Sequence, residues 1–207
     1  MMYNGKKQGG VMILGVEYEL KFRATPAQLD ALEKGIQAQS VQIRMETTYY
    51  DTPTGALSER RYTLRRRMEN GRSVCTFKYP VSGPGRGEAE VESDSLENAI
   101  PALCKLSDRP ELAVLTAEGL VEVCGARFTR TAYTVSFRES TLEVALDRGV
   151  LLGGGREIPL WEAEVELKSG TPADAQAYAG ILAQAYGLQP EQKSKFRRAL
   201  DLAQAHQ

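Results

Sequence analysis

Three stretches of this sequence place charged residues at every second position. Glu17-Tyr18-Glu19-Leu20-Lys21 carries two acids and a base on one parity, Arg65 and Arg67 form a basic pair, and Glu162, Glu164 and Glu166 form a wholly acidic row. In a strand, residues i and i+2 share a face about 6–7 Å apart. Like charges that close cost energy unless counter-charges or ions face them. Carboxylates so spaced suit a hard divalent cation, which takes oxygen ligands. Lysine and arginine clasp phosphate oxygens, arginine with a two-pronged fork. The plain alternative is a half-buried sheet whose charged face meets water. Such faces usually mix Thr, Ser, Lys and both signs, whereas here the signs are sorted strand by strand.

Sorted charge needs a scaffold that turns it towards one place. Alternation predicts strands over residues 16–22, 62–68, 74–79, 88–92, 130–138, 142–147 and 161–167, with an eighth over 45–50. Asn70-Gly71 fits a tight hairpin, and Ser82-Gly83-Pro84-Gly85 a second turn. Gly153-Gly154-Gly155 lacks the spacing and helix context of a nucleotide-binding glycine motif and reads as a loop. Thr25-Pro26 and Thr171-Pro172 each pair an N-cap with a first-turn proline, predicting helices to about Lys34 and Tyr186. Ser95 or Asp94 caps another helix, a further one is expected near residues 108–117, and a terminal helix from 193 to about 205. The fold class expected is α+β: a closed antiparallel eight-stranded β-barrel with helices packed outside. Its charged faces would line a wet, ion-filled tunnel. Residues 12–207 read as a single domain, preceded by a flexible leader at 1–11 rich in Gly, Asn, Gln and Lys.

Composition excludes several function classes. With 207 residues, 42% hydrophobic and 26% charged, the chain is typical of a globular protein. Its net charge of -1, with no separation of sign along the chain, gives no field for nucleic acid. No stretch approaches the roughly 20 apolar residues of a membrane span. Cys75, Cys104 and Cys124 form no C-x-x-C pair and read as reduced thiols of a cytoplasmic protein. The only histidine, His206, sits in the tail, so schemes built on histidine have nothing to work with.

Taken together, the motifs resemble the CYTH superfamily, the triphosphate tunnel metalloenzymes. Glu17-x-Glu19-x-Lys21 alone is a weak signature, but later blocks follow in the family's order. They are Tyr49-Tyr50-Asp51-Thr52-Pro53 with Leu57, Leu64-Arg65-Arg66-Arg67, Thr76-Phe77-Lys78 and Arg86-x-Glu88, then Phe128-x-x-Arg130, the run from Leu142 to Asp147, the acidic row, and Ser194-Lys195. The likeness is nearest to bacterial inorganic triphosphatases, here without the helical CHAD domain some of them carry. The resemblance implies that Glu17, Glu19, Glu162, Glu164 and Glu166 bind Mg²⁺ or Mn²⁺, and that Lys21, Arg65, Arg67, Lys78, Arg130 and Lys195 hold a triphosphate. Glu19 and Lys21 would be catalytic. Arg86, Glu88, Glu90, Glu143 and Asp147 would support them, ordering basic side chains or helping with a second metal. One position departs from the pattern: Ala132 stands where relatives often have a second base after Arg130, leaving Arg127 or Arg138 to substitute.

The resemblance leaves the substrate open among inorganic tripolyphosphate, thiamine triphosphate, the ATP of a class IV adenylate cyclase and an RNA 5′ end. An organic substrate needs a ring platform. Trp161, the only tryptophan, falls on the face opposite the glutamates, and none of the main inward positions is aromatic. Both points favour bare tripolyphosphate, with Tyr49, Tyr50 or Tyr186 at a tunnel mouth as the possible exceptions. A non-catalytic polyphosphate- or nucleotide-binding module is the alternative from another class. The acid set argues against it, because carboxylates repel phosphate unless a metal intervenes. Tyr49-Tyr50-Asp51-Thr52-Pro53 reads as a structural turn, and Arg197-Arg198 as a solvated helix face.

Overall fold

A computed structural model describes residues 12–205. The expected leader at 1–11 and His206 lie outside the described residues. Strands β1 (Met12–Glu17), β2 (Glu19–Arg23), β3 (Ser40–Asp51), β4 (Thr63–Glu69), β5 (Arg72–Pro80), β6 (Arg86–Glu92), β7 (Val121–Phe137), β8 (Ser140–Gly153), β9 (Arg156–Ser169) and β10 (Gln189–Pro190) alternate with helices α1 (Pro26–Gly35), α2 (Ala56–Glu59), α3 (Leu96–Ser107), α4 (Glu111–Leu115), α5 (Pro172–Tyr186) and α6 (Lys195–Gln204). No helix among the described residues is long and apolar enough to cross a membrane.

The strands form one antiparallel sheet in the order β1-β6-β5-β4-β3-β7-β8-β9-β2-β10. It curls into an open half-barrel of ten strands, not the closed eight-stranded barrel expected. The difference lies in the first strand. Among the described residues its leading part, β1, pairs only with β6, and its trailing part, β2, pairs with β9 and β10. The two parts are separated by Tyr18 alone, whose carbonyl accepts from Leu167 N at 2.9 Å. The ends of the sheet are therefore joined through the chain rather than by a ladder.

Local chemistry sets the helix starts. Thr25 and Gln28 make a reciprocal capping box at α1, while Ser95, Thr171 and Ser194 each accept an N3 backbone N–H at α3, α5 and α6. Two apolar clusters cover the outer face of the sheet. Phe22, Leu142, Val144 and Val165 pack with Leu29, Leu32 and Leu182 of α1 and α5. Leu64, Phe77 and Ala89 pack with Leu96, Leu103 and Leu112 of α3 and α4. A third cluster is on the inner face, where Met45, Ala126, Phe128, Leu151 and Leu160 meet Ala199 of α6. The glycine run lets α6 seat there: a Cβ at Gly153 would lie 2.3 Å from the Ala199 carbonyl, while Gly154 and Gly155, with φ of 58° and 72°, turn the β8–β9 hairpin.

Candidate active site

The inner face collects the sorted charges. At one end, Lys195 leads off α6 directly behind its Ser194 cap and reaches three carboxylates, with Nζ 2.8 Å from Asp147 Oδ2, 2.6 Å from Glu164 Oε1, and bonded to Glu162. Arg130 forks onto Asp147 through Nε and Nη2, both at 2.8 Å, and also bonds Glu164. Arg198, one helical turn after Lys195, donates to Glu162 Oε2. Asp147 and Glu162 are wholly buried. Burial works against charge on Lys195 and Arg130, but the surrounding carboxylates outweigh it and hold both pKa values well above normal. Glu164 is held below its usual range, because Lys195 and Arg130 overcome the effect of its burial.

On the facing wall, Lys78 bonds Glu17 and lies 3.2 Å from Glu88. Arg67 Nε donates to Glu69 at 2.7 Å and its Nη2 is 3.9 Å from Glu90. Arg65 is different. Among the described residues, its nearest carboxylate oxygens, on Glu90 and Glu88, are at 3.6 and 3.7 Å, and its buried Nε has no hydrogen-bond partner. Burial opposes its charge, while Tyr49, Glu88, Glu90 and Glu17 outweigh that and raise its pKa. Arg86 donates to the Arg61 and Lys78 carbonyls and to Thr63.

Between the walls runs an acidic row. Register places Glu19 opposite Glu166, and Glu166 opposite Glu143, on three adjacent strands. Nearby bases only partly balance it: Lys21 is 3.0 Å from Glu19, and Lys168 lies 2.8 Å from Glu166 and 3.6 Å from Glu143. Burial pushes the Glu166 carboxyl up to about 7, Lys168 pulls against it, and Glu17 and Glu143 add to it. Oxygen-only donors with surplus negative charge fit a hard divalent cation. A second acidic grouping, Asp147, Glu162 and Glu164, has oxygens within 4.8 Å of one another. Lys195, Arg130 and Arg198 already neutralise it, and Glu162 in particular faces Lys195 and Arg198 rather than the row.

Several sequence readings need correction. Neither Arg127 nor Arg138 replaces the missing base: Arg127 pairs with Glu157 on the outside, and Arg138 sits in the β7–β8 turn at φ 53°, bonded to Asp174 on α5. Lys168 stands at that end of the site instead. Its signal was legible, as the next residue of the same parity after Glu166. Arg198 is not a solvated face; its i, i+3 spacing from Lys195 was the clue, whereas Arg197 is exposed and paired with Asp201. The inner face also carries aromatics, Tyr49 tilted against Phe196 and Phe128 beneath Arg130 and Lys195. The Tyr49 segment is structural as read: Asp51 accepts the Thr52, Leu57 and Ser58 backbone N–H groups around α2.

The CYTH domain matches residues 15–200. The chain belongs to the CYTH family. An inorganic triphosphatase of Haemophilus influenzae is 33% identical over 130 residues, 61% of this CYTH chain and 37% of that protein, so the match spans little more than a third of the relative's length. A Hippeastrum protein studied as an adenylyl cyclase, with a dominant triphosphatase activity, superimposes on the CYTH chain with a TM-score of 0.63 at 17% identity, covering 92% of this chain and 95% of that one. A Pyrococcus horikoshii protein gives 0.60 at 22% identity, covering 91% and 99%. At such identities the structural likeness speaks to the fold.

Proposed function

We propose that this CYTH chain, with residues 12–207 acting as one domain, is a divalent-metal-dependent triphosphatase whose preferred substrate is inorganic tripolyphosphate. The observation that carries this reading is the pairing on one inner face of an under-neutralised acid row with Arg65, whose buried Nε lacks a partner among the described residues. A buried donor left unmade costs about 1–3 kcal/mol, and a phosphate oxygen supplies what it lacks. Relatives named for triphosphatase activity support the same assignment.

In this reading Glu19 and Glu166 are the principal ligands of a Mg²⁺ or Mn²⁺, with Glu17, Glu143 and Glu164 around them. Such an ion supplies charge neutralisation and an activated water. Lys21, Arg65, Arg67, Lys78 and Lys168 grip the phosphates, exchanging carboxylate partners for phosphate oxygens. Arg130 and Lys195 close the inner end, steadied by Asp147 and Glu162. Phosphoryl transfer depends mostly on positioning and charge neutralisation, which is what these residues offer. The inner aromatics do not serve a base or a thiazole. Tyr49 and Phe128 are only 4% and 5% exposed, packed under α6, so bare tripolyphosphate is favoured over an organic triphosphate. Phosphate release from tripolyphosphate, ATP and thiamine triphosphate, with and without Mg²⁺ or Mn²⁺, tests the assignment. Metal-dependent release fastest from tripolyphosphate is expected; no metal-dependent release from any of them would sink it.

A further inference from the structure

Arg86 differs from the other cations of the inner face. Those, from Lys21 to Lys195, each form an ion pair with a carboxylate. Arg86 shares the parity of Glu88 and Glu90 on β6 and lies opposite Glu17 in the ladder with β1, yet it has no carboxylate partner among the described residues. Its guanidinium is held by neutral acceptors instead: the Arg61 carbonyl at 2.6 Å, the Lys78 carbonyl at 3.2 Å and Thr63 Oγ1 at 3.3 Å. Burial lowers its pKa and Arg61 adds to that, while Glu17, Glu19 and Glu88 pull the other way without making up the difference. Arg61 is exposed, and its side chain makes no hydrogen bond or ion pair among the described residues. It stands between α2 and β4 at φ 59°, a region that costs a non-glycine residue energy and often marks a functional position. Two neighbouring guanidinium groups therefore stand beside Lys78 with no counter-charge bonded to either.

We propose that Arg61 and Arg86 hold the terminal phosphate at the far end of the substrate from the cleaved bond, the phosphate that an organic triphosphate carries as an ester, and thereby select bare tripolyphosphate. This assignment rests on the triphosphatase reading and names what sets its preference. A free terminal phosphate offers about two negative charges and several strong acceptor oxygens. Two guanidinium groups match that charge and can each bind through a fork. An esterified phosphate has given one charge and one oxygen to its organic group, so it answers the pair poorly. Arg61 is also exposed, so a group attached at this end would have to pass it to reach solvent. The other inner-face cations must exchange a carboxylate for a phosphate oxygen, whereas these two need release no carboxylate.

The test follows consumption of tripolyphosphate by the full chain in excess Mg²⁺, with ATP added as a competitor, in the parent, Arg61→Gly and Arg61→Lys. Glycine suits the left-handed backbone at position 61, so the first variant keeps the carbonyl that Arg86 uses. Arg61→Gly should lower kcat/KM for tripolyphosphate about tenfold, the loss of a charged hydrogen bond. The inhibition constant of ATP should shift much less, so discrimination between the two ligands narrows. Arg61→Lys keeps the charge and should recover part of the loss. A merely structural role would weaken both ligands alike. Equal losses, a larger loss for ATP, or no loss for tripolyphosphate overturns the proposal and leaves the triphosphatase assignment standing. No metal-dependent consumption by the parent chain overturns both.

Discussion

Glu19 on β2 and Glu166 on β9 are direct partners in the antiparallel ladder, so two carboxylates sit side by side on the inner face with Glu143 next in line. Like charges placed opposite one another destabilise a sheet. In the proposed function a bound cation would turn that cost into binding. Glu19→Gln and Glu166→Gln keep side-chain shape and remove one charge each. Metal-dependent phosphate release should fall more than about 100-fold in either variant. Circular dichroism and metal-free thermal stability should stay the same or improve. Near-normal turnover would show that the metal is held elsewhere.

The same row gives a pH dependence. In the metal-free chain the Glu166 carboxyl rises from 4.5 to about 7, chiefly through burial. The folded state therefore binds this proton more tightly than the unfolded state, and the group's contribution to stability declines as pH rises from about 4.5 to about 7. Cation binding requires the carboxylate, so it reverses that decline. The melting-temperature increase caused by Mg²⁺ or Mn²⁺ should be larger near pH 8 than near pH 5.5, as measured by scanning calorimetry. An equal shift at both values would contradict the assignment of Glu166.

Lys195 holds together the buried end. Removing it by Lys195→Ala leaves Asp147 and Glu162 with fewer cations than they need, both at 0% side-chain exposure. Breaking a buried pair in this way costs about 3–5 kcal/mol, a fall on the order of 10 °C in melting temperature for a chain of this size. Thermal denaturation within about 1 kcal/mol of the parent would mean that Arg130 and Arg198 suffice alone.

Arg65→Lys keeps the charge and loses the fork. Because the arginine's carboxylate neighbours are no nearer than 3.6 Å, little stability should change. The loss should appear as a fall of about 10–100-fold in kcat/KM for tripolyphosphate. Unaltered kinetics would remove Arg65 from the substrate site.

Arg127→Ala and Arg138→Ala serve as controls. Their partners, Glu157 and Asp174, lie off the inner face, and both arginines are more than half exposed. Surface pairs of this kind contribute roughly 0–1 kcal/mol. Phosphate release should match the parent chain, and a large loss in either would restore it as a substitute for the base absent at Ala132.

Much of the site could be read in the sequence because a strand has a period of two. Glu17, Glu19 and Lys21, Arg65 and Arg67, Thr76 and Lys78, and Glu162, Glu164 and Glu166 each declared a shared face without any tertiary information. Cap residues Thr25, Ser95, Thr171 and Ser194 likewise marked helix starts through purely local hydrogen bonds. Residues 121–129 were missed as strand because Cys124, Gly125 and Ala126 blur the apolar alternation, although they form the first half of β7.

What alternation cannot convey is which strands become neighbours and where each ladder stops. Parity made Glu162, Glu164 and Glu166 equivalent; only the docking of α6, permitted by Gly153, brought Lys195 and Arg198 to Glu162 and left Glu166 facing Glu19. Parity also suggested a closed barrel, whereas β1 and β2 take different partners on either side of Tyr18 and leave the sheet open. The residue types and their faces follow from local backbone geometry, which the sequence determines. The pairing of charges depends on contacts between segments distant in the chain, and only the tertiary structure decides those.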